Sequence, residues 1–204
     1  MLRKFSRFQN FAHRAMQSIA LLVVAILISG IGSSYTVGQS AEQSRKLARL
    51  EATYLTHLTK YVQWDRQDTE TKLKIIVHGD DLYKFSETLQ FAMKISNPQT
   101  TVEILSFSNA QQQVALNEAS KGYNFFVLLN NSSISGEQLS VLSGKGVLVV
   151  HGQKLLKSSP AQVAFEYNQN RVRMLIARQA IGEKKNRISS KLAELKSAVK
   201  IVEK

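Results

Sequence analysis

The chain has 204 residues, 44% of them hydrophobic and 21% charged, with ten glycines and only two prolines. These proportions exclude a disordered or fibrous chain and leave enough apolar material for one core. The absence of cysteine excludes disulfides, thiolate metal sites and thiol redox chemistry, while the net charge of +12 makes the position of the bases the first question.

Residues 1–41 read as an export segment. Arg3, Lys4, Arg7 and Arg14 stand without an acid before the run Ile19-Ala-Leu-Leu-Val-Val-Ala-Ile-Leu-Ile28, and Gly30, Gly32, Ser33 and Ser34 follow. Basic, apolar and small residues in that order make a secretory signal peptide. The same residues also suit an uncleaved N-terminal membrane anchor, since Ala15 to Gly32 spans 18 residues, the lower edge of what crosses a bilayer. Both outcomes place residues 42–204 outside the cytoplasm. Without the four leader bases, 23 Lys and Arg face 15 Asp and Glu, a net of +8. They are scattered and form no basic-aromatic motif, so no nucleic acid is expected as a partner; an acidic protein surface or anionic headgroups fit the field better.

Leu47, Leu50, Tyr54, Leu58, Tyr61 and Val62 recur at helical steps and predict an amphipathic helix over residues 43–63. Leu73 to Val77 is a short, mostly apolar run rich in β-branched residues and closed by Gly79, the mark of a buried strand. The pattern then alternates. Helices are expected near 81–95, 110–120 and 135–142, and strands at 102–107, 123–129 and 147–150. Parallel strands need crossover connections, so this alternation predicts a four-stranded parallel sheet between helices in a Rossmann-like three-layer α/β sandwich. Val163–Tyr167 and Val172–Ile176, joined through Asn168 and Asn170, predict a β-hairpin extending that sheet. From Arg187, Ile188, Leu192, Leu195, Val199 and Val202 step by four and three and predict a terminal helix.

No nucleophile stands beside a base, so no catalytic residue, metal or cofactor is expected. The nearest thing to a site is the repeated Val-His-Gly that puts His78 and His151 at the carboxyl ends of the first and fourth strands, with Asp80 and Asp81 beside the first. Open α/β sheets bind ligands at such strand ends, so these four residues mark an alternative small-ligand pocket. In the strand order two-one-three-four, however, the first and fourth strands are not neighbours, which argues against shared metal ligation, and Asp before a helix caps free amides. Glu166, Arg171, Arg173 and Arg178 put charge on or beside the hairpin, expected at the sheet edge, and mark a partner-binding surface or charges that block stray strand pairing. Tyr54, Tyr61 and Trp64 suit either interface anchors or core, and helical spacing favours core.

Laid out in this order, the chain resembles the YfiR-like family of periplasmic regulatory proteins. Ala52-Thr-Tyr-Leu-Thr-His-Leu-Thr-Lys-Tyr-Val-Gln-Trp64 is similar to that family's opening helix, Leu73-Lys-Ile-Ile-Val-His-Gly-Asp80 to its first strand and turn, Gly146-Val-Leu-Val-Val150 to its fourth strand, and Ile188-Ser-Ser-Lys-Leu192 to the motif before its last helix. The disulfide control of some members does not carry over to a chain without cysteine. The resemblance implies a non-catalytic regulator that contacts the outer part of an inner-membrane protein, such as a diguanylate cyclase or a sensor kinase, and represses it. Whether the chain is a monomer or a homodimer stays open, as does a ligand-binding or sensory role. A reporter enzyme active only outside the cytoplasm, fused after Lys204, is expected to be active; a silent fusion at equal abundance overturns export.

Overall fold

The computed structural model describes residues 41–64, 72–142, 147–151, 161–168, 171–181 and 186–203, with His151, Asn168, Arg171, Asn186 and Arg187 placed by their backbone alone. Residues 1–40, which carry the expected leader, lie outside the described residues, as do 152–160 and the hairpin turn at 169–170. The chain divides into two compact units, Met1–Ser44 and Arg45–Lys204, and all that follows concerns the second. Among the described residues no helix is long and apolar enough to cross a membrane.

Among the described residues nine strands form, in chain order, as β1 (Val62–Trp64), β2 (Lys72–His78), β3 (Thr101–Phe107), β4 (Phe125–Leu128), β5 (Leu148–His151), β6 (Val163–Asn168), β7 (Arg171–Ala177), β8 (Asn186–Ile188) and β9 (Val199–Val202). Helices α1 (residues 41–58), α2 (Phe85–Ser96), α3 (Gln112–Ala119) and α4 (Gly136–Leu139) connect or cover them. Seven strands make one sheet in the order β3-β2-β4-β5-β6-β7-β9, and β1 and β8 make a separate antiparallel pair. From β3 to β6 every neighbour is parallel, β7 is antiparallel to β6, and β9 is parallel to β7.

The apolar pattern explains the two cores. β4 is buried at all four positions, because a central strand with parallel neighbours meets packed side chains on both faces. On one face Ile75, Val77, Phe125, Val127, Leu148 and Val150 meet Ala48, Ala52, Leu55 and Leu58 of α1 and Phe85, Leu89 and Met93 of α2. On the other, Ile76, Phe126, Leu128 and Val149 meet Ala115, Leu116 and Ala119 of α3 and Leu139 of α4. Buried Asn124 continues the ladder where β4 begins: its Oδ1 accepts the Lys74 N–H at 2.8 Å, its N–H reaches Lys74 O at 2.9 Å, and its carbonyl takes the Leu148 N–H at 2.8 Å. Gln162 does the same ahead of β6, exchanging bonds with both backbone groups of Val149 at 2.9 Å.

The α/β class and the order β3-β2-β4-β5 follow the sequence reading, and three expectations change. The first helix stops at residue 58. A 3-10 turn, Thr59–Tyr61, leads into β1, where buried Val62 faces buried Ile188 across an extended pair. The terminal helix does not form. Residues 186–202 instead give β8, a 3-10 turn (Ser190–Glu194) and β9, and their three-and-four spacing arises because Ile188, Leu192 and Val199 enter the same core from three successive elements. Leu195, which the helical reading put in the seam, is 44% exposed, and Val199-Lys-Ile-Val202 has the β-branched content of a strand. Finally, the sheet is not four strands plus a hairpin: β9 covers β7, so the hairpin lies inside the sheet rather than at its edge.

Tyr54 and Trp64, for which helical spacing favours core over interface anchors, are part of this packing. Tyr54 donates its hydroxyl to Val172 O at 2.9 Å beside the Phe165 ring, and Trp64 meets Phe125 edge-on with centroids 5.1 Å apart. One turn before Tyr54, Glu51 is buried with Oε1 unpartnered among the described residues, and burial pushes its pKa up to about 8. The folded chain therefore holds this proton where the unfolded chain has released it, so stability falls as pH rises from the ordinary 4.5 towards 8. Glu51→Gln is expected to remove that slope in thermal unfolding measured across this range, leaving the variant more stable than wild type at pH 8; an unchanged slope places Glu51 in water.

Candidate functional site

β2 ends in His78, fully buried, and the chain turns out of the sheet at Gly79 with φ +128°. A side chain there is excluded: an added Cβ would lie 2.6 Å from Asn131 Oδ1 and 2.9 Å from Leu129 Cβ. The close approach is used. Asn131 accepts the Asp80 N–H at 3.1 Å and donates Nδ2 to Asp80 O at 2.8 Å, so its amide pairs with the Asp80 backbone as a further ladder rung. Asn109, just after β3, donates Nδ2 to Asp80 Oδ2 at 3.1 Å and to Asn131 O at 2.9 Å, and its Oδ1 accepts the Ser133 N–H at 2.8 Å. The turns after three adjacent strands are thus knitted together by Asp80, Asn109 and Asn131.

His78 supports this network from below. Its Nδ1 shares a 2.7 Å hydrogen bond with Ser132 Oγ, its ring stacks near Phe126 at 6.5 Å, and Nε2 has no partner in hydrogen-bond geometry among the described residues. Burial lowers its pKa below the usual imidazole value, against the opposing pull of the Asp80 charge and the Ser108 backbone. The neutral ring is the form the fold holds.

The sequence placed His78, Asp80, Asp81 and His151 together as a ligand pocket. The structure sets His78, Leu128 and His151 in one row of the sheet, so β4 stands between the two histidines, about 9.5 Å apart by two strand spacings. Asp81 faces α2: its two oxygens accept the Phe85 and Ser86 N–H groups at 2.6 and 2.9 Å and cap that helix. Asp80 is spent on Asn109. Among the described residues no three His, Asp or Glu side chains gather to hold a metal ion. Asn109 and the adjacent Asn131 and Ser132, which build the cluster, escaped the sequence reading because they come from two turns that lie far from His78 in the chain.

The charged residues of the hairpin lie on interior strands. Glu166 faces Arg173 across the β6–β7 pair and meets Lys200 of β9 at 3.6 Å, while Arg178 pairs with Glu203 beyond β9. Arg171 is opposite Asn168 in the backbone register. β9 covers the edge of β7 from Met174 to Ala177, and Arg171 and Arg173 lie before that pairing. Lys200 and Glu203 were missed because the helical reading of the terminus put them on another element.

Taken together, the chain is a mixed α/β domain whose strand-end turns are closed by mutual hydrogen bonds. A family model described as YfiR/HmsC-like (DUF4154) matches residues 48–196, and the chain belongs to that family. The family is known in general terms as one of periplasmic regulators. No curated protein matches the chain.

Gly79→Ala is expected to cost about 2–4 kcal/mol in chemical unfolding, from the positive φ and the two short contacts together. Adding Asn131→Ala should not rescue it, because φ and Leu129 remain; full recovery in the double variant contradicts this account of the turn.

Proposed function

We propose that the protein is a periplasmic, non-catalytic regulator that binds the outer domain of an inner-membrane signalling protein, a diguanylate cyclase, and holds it inactive. The observation that carries the reading is the family match over residues 48–196, most of the described domain. Two features support it. The polar groups at the strand ends are spent on each other, as in a rigid scaffold, with Asp80 engaged by Asn109 and Asp81 by α2. The half-exposed charges Glu166 and Arg173, with the exposed Arg178, offer a polar face for a partner, and an excess of bases on the chain favours an acidic one.

Repression requires tighter binding to the inactive state of the cyclase than to the active one. Arg173 is the sharpest probe, since it is half-buried in the sheet face and lies opposite Glu166. Deleting the gene is expected to raise cellular cyclic di-GMP severalfold, and Arg173→Glu to raise it in part while the protein stays at normal abundance. Cyclic di-GMP unchanged by the deletion, in cells where the wild-type protein is abundant, would falsify the proposal.

A further inference from the structure

α1 and α2 lie on one face of the large sheet, and their outward sides combine two features. A helix packed on a sheet needs one apolar stripe, and α2 has two. Phe85, Leu89 and Met93 are buried in the core. Phe91 and Ile95 each stand two residues, and so about 200° round the axis, from Met93. They are 68% and 64% exposed, and Leu82, in the turn ahead of α2, is exposed as well.

α1 supplies the charge. From Arg45 to Lys60 the exposed positions are Arg45, Lys46, Arg49, Thr53, His57 and Lys60, with no acid among them, since Glu51 is buried. Lys94 precedes Ile95 on α2, and Asn97 just beyond donates Nδ2 to Thr59 Oγ1 at 3.4 Å, which brings the end of α2 beside Lys60. Among the described residues none of Arg45, Lys46, Arg49, Lys60 and Lys94 is in an ion pair, whereas Lys84 is paired with Glu87 at 3.2 Å. The other face differs. From Gln112 to Leu142, where α3 and α4 cover it, one base, Lys121, stands against two acids, Glu118 and Glu137, and Lys121 is paired with Glu118 at 2.7 Å. Uncompensated bases and exposed apolar side chains thus share one face.

We propose that this face docks on an anionic lipid surface, with Phe91 and Ile95 entering the boundary between headgroups and acyl chains and the five bases meeting phosphates. Charge complementarity selects the occupant. Bases spread over about 20 Å of α1 meet phosphates wherever they fall on a lipid surface, whereas a protein would have to supply a matched acid for each. Long basic side chains reach the headgroups while Phe and Ile enter the apolar layer. The inference rests on the proposed function only for which membrane is met, the outer leaflet of the inner one. Glu166 and Arg173 alternate with residues of the α1 core and so lie on the other face of the sheet, where they remain available to the cyclase.

The chain has no cysteine, so one introduced at residue 91 carries a single polarity-sensitive fluorophore. In the full chain the label on Phe91→Cys is expected to move to shorter wavelength and brighten on vesicles of phosphatidylcholine and phosphatidylglycerol in equal parts, and to change much less on phosphatidylcholine alone. Val114→Cys on α3, 54% exposed on the other face, should not respond. Each base near an anionic surface contributes about fivefold to binding, so Arg49→Gln with Lys94→Gln is expected to raise the lipid needed for half of the change about thirtyfold. Ile95→Cys gives the same reading should Phe91→Cys fold poorly. Labels at 91 and 95 that ignore the anionic vesicles overturn the proposal and leave the face to an acidic protein. An equal response at 114, an equal response to phosphatidylcholine alone, or one untouched by loss of the two bases overturns it as well. The leader is unlabelled and common to all these chains, so it supplies none of the differences, and with no cyclase present the outcome is independent of repression.

Discussion

Everything in this domain depends on keeping β4 dry. A strand buried on both faces can satisfy its backbone only through its neighbours, so β2 and β5 must run along it without a break. Where the ladder would run out, side chains take over: Asn124 and Gln162 place amide groups where the next peptide would be. An unpaired buried donor or acceptor costs about 1–3 kcal/mol, comparable to deleting a methyl group or two from the core. The two amides are therefore as structural as Phe125 and Phe126, although they carry no hydrophobic surface.

The same demand shapes the strand ends. When β2, β3 and β4 leave the sheet their backbones lose their partners together, and Asp80, Asn109 and Asn131 supply replacements across the three turns. Gly79 makes room for that exchange. Below it His78 is held neutral by burial, with one nitrogen on Ser132. Because an unfolded chain takes up the histidine proton first, this ring contributes stability above the ordinary pKa of 6.5 that is lost as pH falls. Glu51, on the opposite face, also stays uncharged but with the reverse dependence. Acid and base side chains are thus buried at a cost that tertiary packing offsets.

The surface follows different rules. The Lys72–Glu103, Glu166–Lys200 and Arg178–Glu203 pairs are all substantially exposed, and exposed pairs contribute about 0–1 kcal/mol at most. Their effect lies in where another molecule is able to approach. Charges compensated on the spot leave a neutral edge at β3, whereas the chain as a whole carries an excess of bases that favours acidic surfaces.

Sequence alone determined the part of the fold that rests on local pattern. Runs such as Leu73–Val77 and Tyr123–Leu129, separated by amphipathic stretches, announce buried parallel strands and crossover helices, because burial on two faces demands continuous apolar side chains. The family was legible too, from segments lying in that same stretch. Residues 186–202 were not. Helical spacing there is real, but Ile188, Leu192 and Val199 reach one core from a strand, a turn and another strand, and only the vacant edge of β7 decides that the terminus extends. The strand-end cluster was likewise half visible: His78, Asp80 and Asp81 stood out by type, while Asn109 lies 29 residues from Asp80 and 22 from Asn131, and Ser132 lies 54 from His78, so that they meet only when three turns are stacked by the sheet. Local pattern records what each segment buries; which segments lie side by side is settled by the pairing of backbone groups, and that information is shared among residues far apart in the chain.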